Sequence, residues 1–256
     1  MHKFHFAIDK TNKNKKLEKM VLTKYKNYLP QISNVIVVLG GDGFMLKTLK
    51  KYQKYNKPFY GVNRGTFGFL MNKFKTYELN KSISRAKQIS ISPLEIKAIS
   101  RNGKVFRAIA INEISLLRQS KQTASLQISI GKKILIKKLI CDGVLVSTPA
   151  GSTAYNLSVG GPILSLNSKK LAITPISPFR PRRWKGKIAS SSSLIKIKNL
   201  NIYKRSVSAV ADNIEVRNIK SVTIKINKGI KFKLLYDRDS SLAKKIKLEQ
   251  FRKQEV

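Results

Sequence analysis

Five consecutive apolar residues, Val35-Ile36-Val37-Val38-Leu39, run straight into Gly40-Gly41-Asp42-Gly43. An unbroken run of this kind has no polar face to offer water. It reads as a strand covered on both sides, the situation of a parallel strand in an α/β sheet. The flanking segments agree. Phe4, Phe6 and Ile8 alternate as a strand, and residues 12–27 carry an amphipathic helical pattern. Phe44, Met45, Leu46 and Leu49 follow the glycines at helical spacing, ahead of the strand Phe59-Tyr60-Gly61-Val62. The order βαβαβ predicts a doubly wound α/β N-terminal domain.

From about Ser90 the texture changes. Short β-branched segments separated by turn residues occupy 92–99, 104–111, 125–130, 133–139, 143–147, 206–211, 221–226 and 231–235. That spacing predicts a mainly-β C-terminal domain. Arg180 to Ser193, with Pro181 and four consecutive serines, reads as a long surface loop. Helical periodicity returns in Ser240 to Phe251 through Leu242, Ile246 and Leu248, and predicts a C-terminal helix packed back on the first domain. The expected division is 1–88, completed by about 236–256, and 89–235.

Composition narrows the function classes. With 256 residues, 42% hydrophobic and 25% charged, the chain can bury the core of one or two globular domains. No apolar stretch reaches the length of a membrane span, so no membrane partner is expected. The start, Met1-His2-Lys3-Phe4-His5-Phe6, lacks a signal-peptide hydrophobic region and is expected to begin the fold directly, in the cytoplasm. One cysteine, Cys141, excludes an internal disulfide framework and any multi-cysteine metal site. His2 and His5 are the only histidines, which argues against a zinc site or a Ser-His-Asp triad. The net charge is +39, from 40 lysines and 12 arginines set against 13 acidic residues. The lysines are spread over the whole chain, and the dense run Lys10 to Lys19 has Leu17, Met20 and Val21 on one side, as a solvated helix face does. No RNA-binding aromatic signature, zinc-finger spacing or helix-turn-helix pattern accompanies the charge, so no specific nucleic-acid partner is expected. The positive field instead favours small polyanions.

Four segments carry chemistry. Gly40-Gly41-Asp42-Gly43 stands at the carboxyl end of a strand, where α/β sheets place ligands. It lacks the Gly-Lys-Ser/Thr of a Walker loop and the spacing of a dinucleotide fingerprint. Glycines there permit positive φ and close approach of a phosphate, yet a carboxylate among them would repel it. Asp42 makes sense if it acts on a hydroxyl that attacks the phosphate, or helps hold Mg²⁺. The bland alternative is an ordinary Gly-Asp-Gly turn. In Gly61-Val62-Asn63-Arg64-Gly65-Thr66-Phe67-Gly68-Phe69-Leu70, Phe69 either packs on a base or ribose or plugs the core. Asn112-Glu113, after Ile109-Ala110-Ile111, either takes both hydroxyls of a sugar or ends a strand. The run from Cys141 to Tyr155 leads a short strand, Val144 to Val146, into a Ser/Thr/Pro/Gly turn. With Asp142, Ser147, Thr148, Ser152, Thr153 and Tyr155 inside fifteen residues, it has the make-up of a binding segment that presents backbone N–H groups and hydroxyls.

Together with Asp142 to Gly161 and Ile173-Thr174-Pro175-Ile176-Ser177-Pro178, these segments resemble the NAD kinase family over nearly the full length. Gly-Gly-Asp-Gly alone also occurs in lipid kinases and phosphofructokinases; the 142–161 segment is far more specific. The resemblance implies transfer of the γ-phosphoryl of ATP to the adenosine 2′-hydroxyl of NAD. Asp42 then matches the catalytic aspartate that accepts the hydroxyl proton, and Gly41 and Gly43 belong to the loop approached by phosphate. Asn112 and Glu113 match the pair that bonds ribose hydroxyls, and Asp142 a carboxylate near the dinucleotide. Thr153, Ala154, Tyr155 and Ser158, with Asn156 and Leu157 between them, match the adenine and ribose side of the pocket. Phe69 matches the aromatic beside adenine, and Asn213 falls where a polar amide contacts the dinucleotide. No residue is expected to ligate a metal directly, since Mg²⁺ would be held mainly through the ATP phosphates. Family members assemble as homodimers or homotetramers in which a neighbouring subunit helps close the pocket. The chain departs from the pattern at Ala150, where Ser or Thr is common, at Phe179, where many members carry His, and at Thr66 and Phe67. The rivals are a lipid or sugar kinase, which leaves 142–161 unexplained, and a non-catalytic dinucleotide sensor or nucleic-acid-binding protein, which would not depend on Asp42.

Overall fold

The structure is a computed structural model that describes residues 2–10, 15–63, 68–73 and 78–238. The expected helix over 240–251 and the unusual residues Thr66 and Phe67 lie outside the described residues. The chain divides into two compact units, one formed by Met1–Ile91 with the chain from Lys231 on, the other by Ser92–Ile230.

The first unit runs β1 (Phe4–Ile8), α1 (Lys15–Lys24), β2 (Val35–Leu39), α2 (Asp42–Tyr52), β3 (Pro58–Asn63), β4 (Asn72–Lys73), α3 (Leu79–Arg85) and β5 (Lys87–Ile91). The second contributes β6 (Leu94–Ser100), β7 (Val105–Ala110), β8 (Glu113–Arg118), β9 (Ala124–Ile130), β10 (Lys133–Cys141) and β11 (Gly143–Ser147). It continues through the short α4 (Tyr155–Ser158) to β12 (Lys170–Ile176), β13 (Lys187–Ser190), β14 (Ile195–Asn199), β15 (Val207–Ala211), β16 (Ile214–Val216) and β17 (Ile219–Ile226). The chain then returns to the first unit as β18 (Phe232–Tyr236).

All five residues of β2 are buried, as its unbroken apolar run requires. The first sheet has the order β1-β2-β3-β18-β5, with β4 beside β3. Its pairings are parallel except for β18 with β5. One face packs Phe4, Phe6, Val35, Val37, Tyr60 and Val62 against Leu17 and Val21 of α1 and Leu79 and Ile83 of α3. Strand alternation turns Gly61 to the opposite face. A Cβ built there would meet the Met45 Cε of α2 at 3.1 Å, so α2 covers that side. Helices on both faces answer the α/β expectation. Run 231–235, expected in the β domain, instead pairs with β3 and β5 in this sheet.

The second unit is a sandwich of two antiparallel sheets, β10-β9-β14-β17-β6-β7 and β13-β12-β11-β8-β15-β16. Leu126, Ile128, Ile195, Ile197, Val222 and Ile224 from one sheet share a core with Ile114, Leu116, Val144, Val146, Leu171 and Ile173 from the other. β14 shows the required period of two: Ile195 and Ile197 are buried, Lys196 and Lys198 exposed. The expected loop over 180–193 is interrupted, because Lys187–Ser190 forms β13 and pairs with β12.

Candidate active site

In the first unit, β2 ends at Leu39 and α2 begins at Asp42, with Gly41 extended at its N-cap (φ −104°, ψ 179°). None of Gly40, Gly41 and Gly43 has positive φ, so the expected conformational reason for these glycines does not apply. Their reason is space. A Cβ on Gly40 would come within 2.9 Å of Phe44 Cδ1 and 3.1 Å of Asp9 Cβ, whereas one on Gly41 or Gly43 would stand in open space. Two open positions beside a helix N-terminus suit an approaching anion.

The half-buried Asp42 carboxylate is cradled by two peptide N–H groups: Phe69 donates to Oδ2 at 2.8 Å and Leu70 to Oδ1 at 3.1 Å. The close fit explains Gly68, whose Cβ would lie 3.0 Å from Asp42 Oδ1 and 2.8 Å from Met71 Cγ. Phe69 is therefore tied to Asp42 by its backbone, a role the sequence did not suggest. Sequence reasoning also passed over Tyr236 on β18, a buried phenol whose hydroxyl is 3.5 Å from Phe69 O. Burial and then the Asp42 charge raise its pKa above the ordinary value. Nothing in the local pattern of 232–236 could have placed it beside a residue so distant in sequence.

In the second unit, Glu113 opens β8 and Asn112 immediately precedes it. Asp212, at the β15–β16 turn, accepts the Ile111 N–H on Oδ2 and the Asn112 N–H on Oδ1, both at 2.9 Å, while its own N–H donates to Glu113 O at 3.2 Å. It does so from the left-handed region (φ 53°), which Asp tolerates better than most residues. Thr148 completes the clasp: its hydroxyl donates to Ile111 O at 2.7 Å and accepts the Gly151 N–H at 3.0 Å, and its N–H donates to Asn112 O at 2.9 Å. Thr148 belongs to the hydroxyl-rich segment that stands out in the sequence. Asp212 does not stand out there, although Asp-Asn between two apolar runs is a turn signal.

With its backbone so fixed, this cluster leaves three buried side-chain oxygens without a hydrogen-bond partner: Asn112 Oδ1, Glu113 Oε2 and Thr153 Oγ1. Unsatisfied buried oxygens are costly in an empty protein. Carried on consecutive residues, the amide and carboxyl oxygens are acceptors suited to hydroxyl donors. Burial, and then the Asp212 charge, push Glu113 up to about 7. A stability consequence follows. Between pH 4.5 and 7 the folded protein retains a proton that the unfolded chain has released, so stability falls as pH rises through that window and levels above it. Glu113→Gln, neutral at every pH, should exceed the wild type in unfolding free energy by about 3 kcal/mol at pH 8. The difference should vanish near pH 4.5 in denaturant titrations of the ligand-free protein.

The other expected site residues are placed unevenly. Ala154 and Leu157 are half-buried, and Tyr155 and Ser158 exposed, along the turn that follows Thr153. Asn156 serves the fold itself. Fully buried, it donates to Ser152 O and Pro162 O and accepts the Thr174 hydroxyl at 2.7 Å. Asn156→Ala should cost about 3 kcal/mol in chemical denaturation, because several buried partners lose their bonds at once. Asn213 is exposed in the turn next to Asp212. Asp142 stands at the opposite end of β11 from Ser147 and pairs with Arg118 at 2.6 Å, so it does not share the Asn112–Glu113 cluster. Ala150 is buried, and Phe179 is exposed with the Arg180 and Arg182 guanidiniums 5.4 and 5.5 Å from its ring centre. Among the described residues no group of three or more His, Cys, Asp or Glu side chains could cage a metal ion. An open depression of about 800 Å³, lined by His2, Asn34, Pro58 and Ser84, lies at the amino ends of β2 and β3, away from the end that carries Asp42. No helix among the described residues is long and apolar enough to cross a membrane.

Residues 1–90 match the family model of the ATP-NAD kinase N-terminal domain, and residues 111–236 that of the ATP-NAD kinase C-terminal domain. The chain belongs to the ATP-NAD kinase family. It is 43% identical to an NAD kinase of Brucella suis biovar 1 over 97% of this chain and 96% of that protein. Its fold is similar to that of yeast NADH kinase, solved with NADH, with a TM-score of 0.82, 22% identity, and 100% of this chain and 89% of the other covered. An NAD kinase from Archaeoglobus fulgidus, solved with ATP, gives a TM-score of 0.76 at 22% identity over 96% and 98% of the two chains. The two family domains divide the chemistry as the structure does. The ATP-NAD kinase N-terminal region carries Asp42 and its peptide cradle, and the C-terminal region carries Asn112, Glu113, Asp212 and the 148–158 turn.

Proposed function

We propose that this protein transfers the γ-phosphoryl group of ATP to the 2′-hydroxyl of the adenosine ribose of NAD, giving NADP, with Asp42 as the general base. The observation that carries the reading is the pair of buried, unpartnered acceptors, Asn112 Oδ1 and Glu113 Oε2, held rigidly by Asp212 and Thr148. A ribose supplies two adjacent hydroxyl donors for them. The turn after Thr153, with Ala154, Tyr155 and Ser158, takes the adenine side, and Asn213 and Phe69 contribute further dinucleotide contacts.

Asp42 is suited to removing the hydroxyl proton. Its two peptide N–H donors fix the carboxylate's orientation, and a positioned base of this kind contributes about 10²–10⁴-fold. The open ground at Gly41 and Gly43 lets phosphate approach the start of α2. Mg²⁺ would be held through the ATP phosphates, where it would neutralise charge during transfer. The family resemblance further supports a cytoplasmic homodimer or homotetramer, which sedimentation would resolve.

The test is NADP⁺ formation from NAD⁺, ATP and Mg²⁺ by purified protein, read through an NADP-specific dehydrogenase. Steady product formation is expected. No product from a folded protein with any phosphoryl donor would sink this reading and direct attention to lipid or sugar acceptors.

A further inference from the structure

The carboxyl pair Glu113–Asp212 asks which of the two carries a proton, and the geometry answers it. Both Asp212 oxygens already receive peptide N–H groups at 2.9 Å. Glu113 Oε2 is buried and has no such donor. Burial, and then the Asp212 charge, favour the protonated form of Glu113. The neighbouring elements offer it no cation. β11 sets Ser147 opposite Glu113, β15 contributes Ala211 beside Ile114, and the 148–153 turn brings hydroxyls. Arg118 and Asp142, at the far ends of β8 and β11, are paired with each other. Among the described residues Asp212 is the charge that acts on Glu113, and together with burial it holds that carboxyl near 7.

We propose that the nucleoside cradle holds its diol tightly only when Glu113 is ionised, so that one proton gates substrate affinity, and that burial together with Asp212 sets the pH at which the gate opens. The inference rests on the ribose assignment made above. As a carboxylate, Glu113 is an acceptor beside the Asn112 carbonyl, matching the two donors of the diol, and its charge-assisted bond is roughly twice as strong as a neutral one. Protonated, it keeps only a neutral and weaker carbonyl acceptor and adds an O–H donor that the diol's two donors do not match. The diol's hydroxyls stabilise the carboxylate, so ligand binding expels the Glu113 proton into solvent. No covalent step is involved.

The experiment is calorimetric titration of NAD⁺ into the full chain, without ATP, at pH 6, 7 and 8, each in two buffers of different ionisation enthalpy. With a midpoint near 7, the dissociation constant should rise roughly tenfold from pH 8 to pH 6. About half a proton should be released per ligand bound at pH 7. Glu113→Gln, whose amide oxygen is a neutral acceptor, should bind about as weakly as the wild type at pH 6, with neither pH dependence nor proton release, which assigns the proton to this side chain rather than to a histidine. Asp212→Asn, if folded, should move the midpoint to lower pH. Equal wild-type affinity at pH 6 and 8 with no net proton release would overturn the gate while leaving the ribose assignment intact. Failure of NAD⁺ to bind at any pH would overturn that assignment, and the gate with it.

Discussion

Asp42→Asn lowers turnover by about 10²–10⁴-fold and leaves the affinity for NAD close to that of the wild type. The exchange keeps the size and shape of the side chain but removes the basic oxygen, which corresponds to on the order of 3–5 kcal/mol of transition-state stabilisation. NAD affinity survives because the proposed nucleoside contacts belong to Asn112, Glu113 and the turn after Thr153. A smaller structural cost accompanies the change. The Phe69 and Leu70 N–H groups each point at one carboxylate oxygen, and an amide offers only one oxygen, so one N–H meets an NH₂ instead. A loss of about 1–2 kcal/mol in unfolding free energy is expected from that mismatch. Single-turnover kinetics beside a calorimetric NAD titration separate the two effects. Near-normal turnover in a folded Asp42→Asn protein would remove Asp42 from the chemistry.

Gly151→Ala should damage both the sandwich and its site. The added Cβ would fall 2.2 Å from Asn112 O and 2.5 Å from Asn112 Cα, which are backbone atoms that cannot swing away. Either the 151–153 turn or the start of β8 must shift, and Thr148 is bonded to both, accepting the Gly151 N–H and donating to Ile111 O. Overpacking against fixed backbone costs about 3 kcal/mol or more, and the displaced Asn112–Glu113 pair should lose NAD affinity by at least an order of magnitude. Thermal denaturation and NAD titration check the two parts. A variant with wild-type stability and wild-type affinity would mean that the contact between Gly151 and Asn112 is not a fixed point of the site.

The contrast between these residues shows what a linear sequence reveals here. Val35 to Leu39 announces the α/β sheet because every residue must be covered, a property visible without knowing what covers it. The β sandwich is legible as a class, but several strands hide. β12 contains Pro175, which argues against a strand. It is accommodated because β13 pairs only with Lys170 to Ile173, leaving Pro175 without a partner on that side. β8 begins at Glu113, directly after Asn112, and that polar pair by itself resembles a strand end. Among the candidate functional residues, Asp42 in the first unit and Asn112 and Glu113 in the second stand out by residue type and neighbours. Asp212 and Tyr236 do not, because each acts on residues about a hundred or more positions away. Asn156 is the reverse case, since its place in a conspicuous segment suggested a ligand contact, whereas its amide is fully occupied in holding the turn.

The position of β18 bears on how the protein is made. The first unit's sheet takes its strand between β3 and β5 from residues 232–236, near the end of the chain. A nascent chain that has emerged only as far as Ile230 has all of β3 and β5 but nothing to join them, so two strand edges stay open while the second unit is being synthesised. Such edges invite pairing with other chains. Premature termination before Phe232 should therefore yield not a working fragment but a species bound for chaperones or aggregates, and the unit that carries Asp42 should become native only after the second unit has been synthesised.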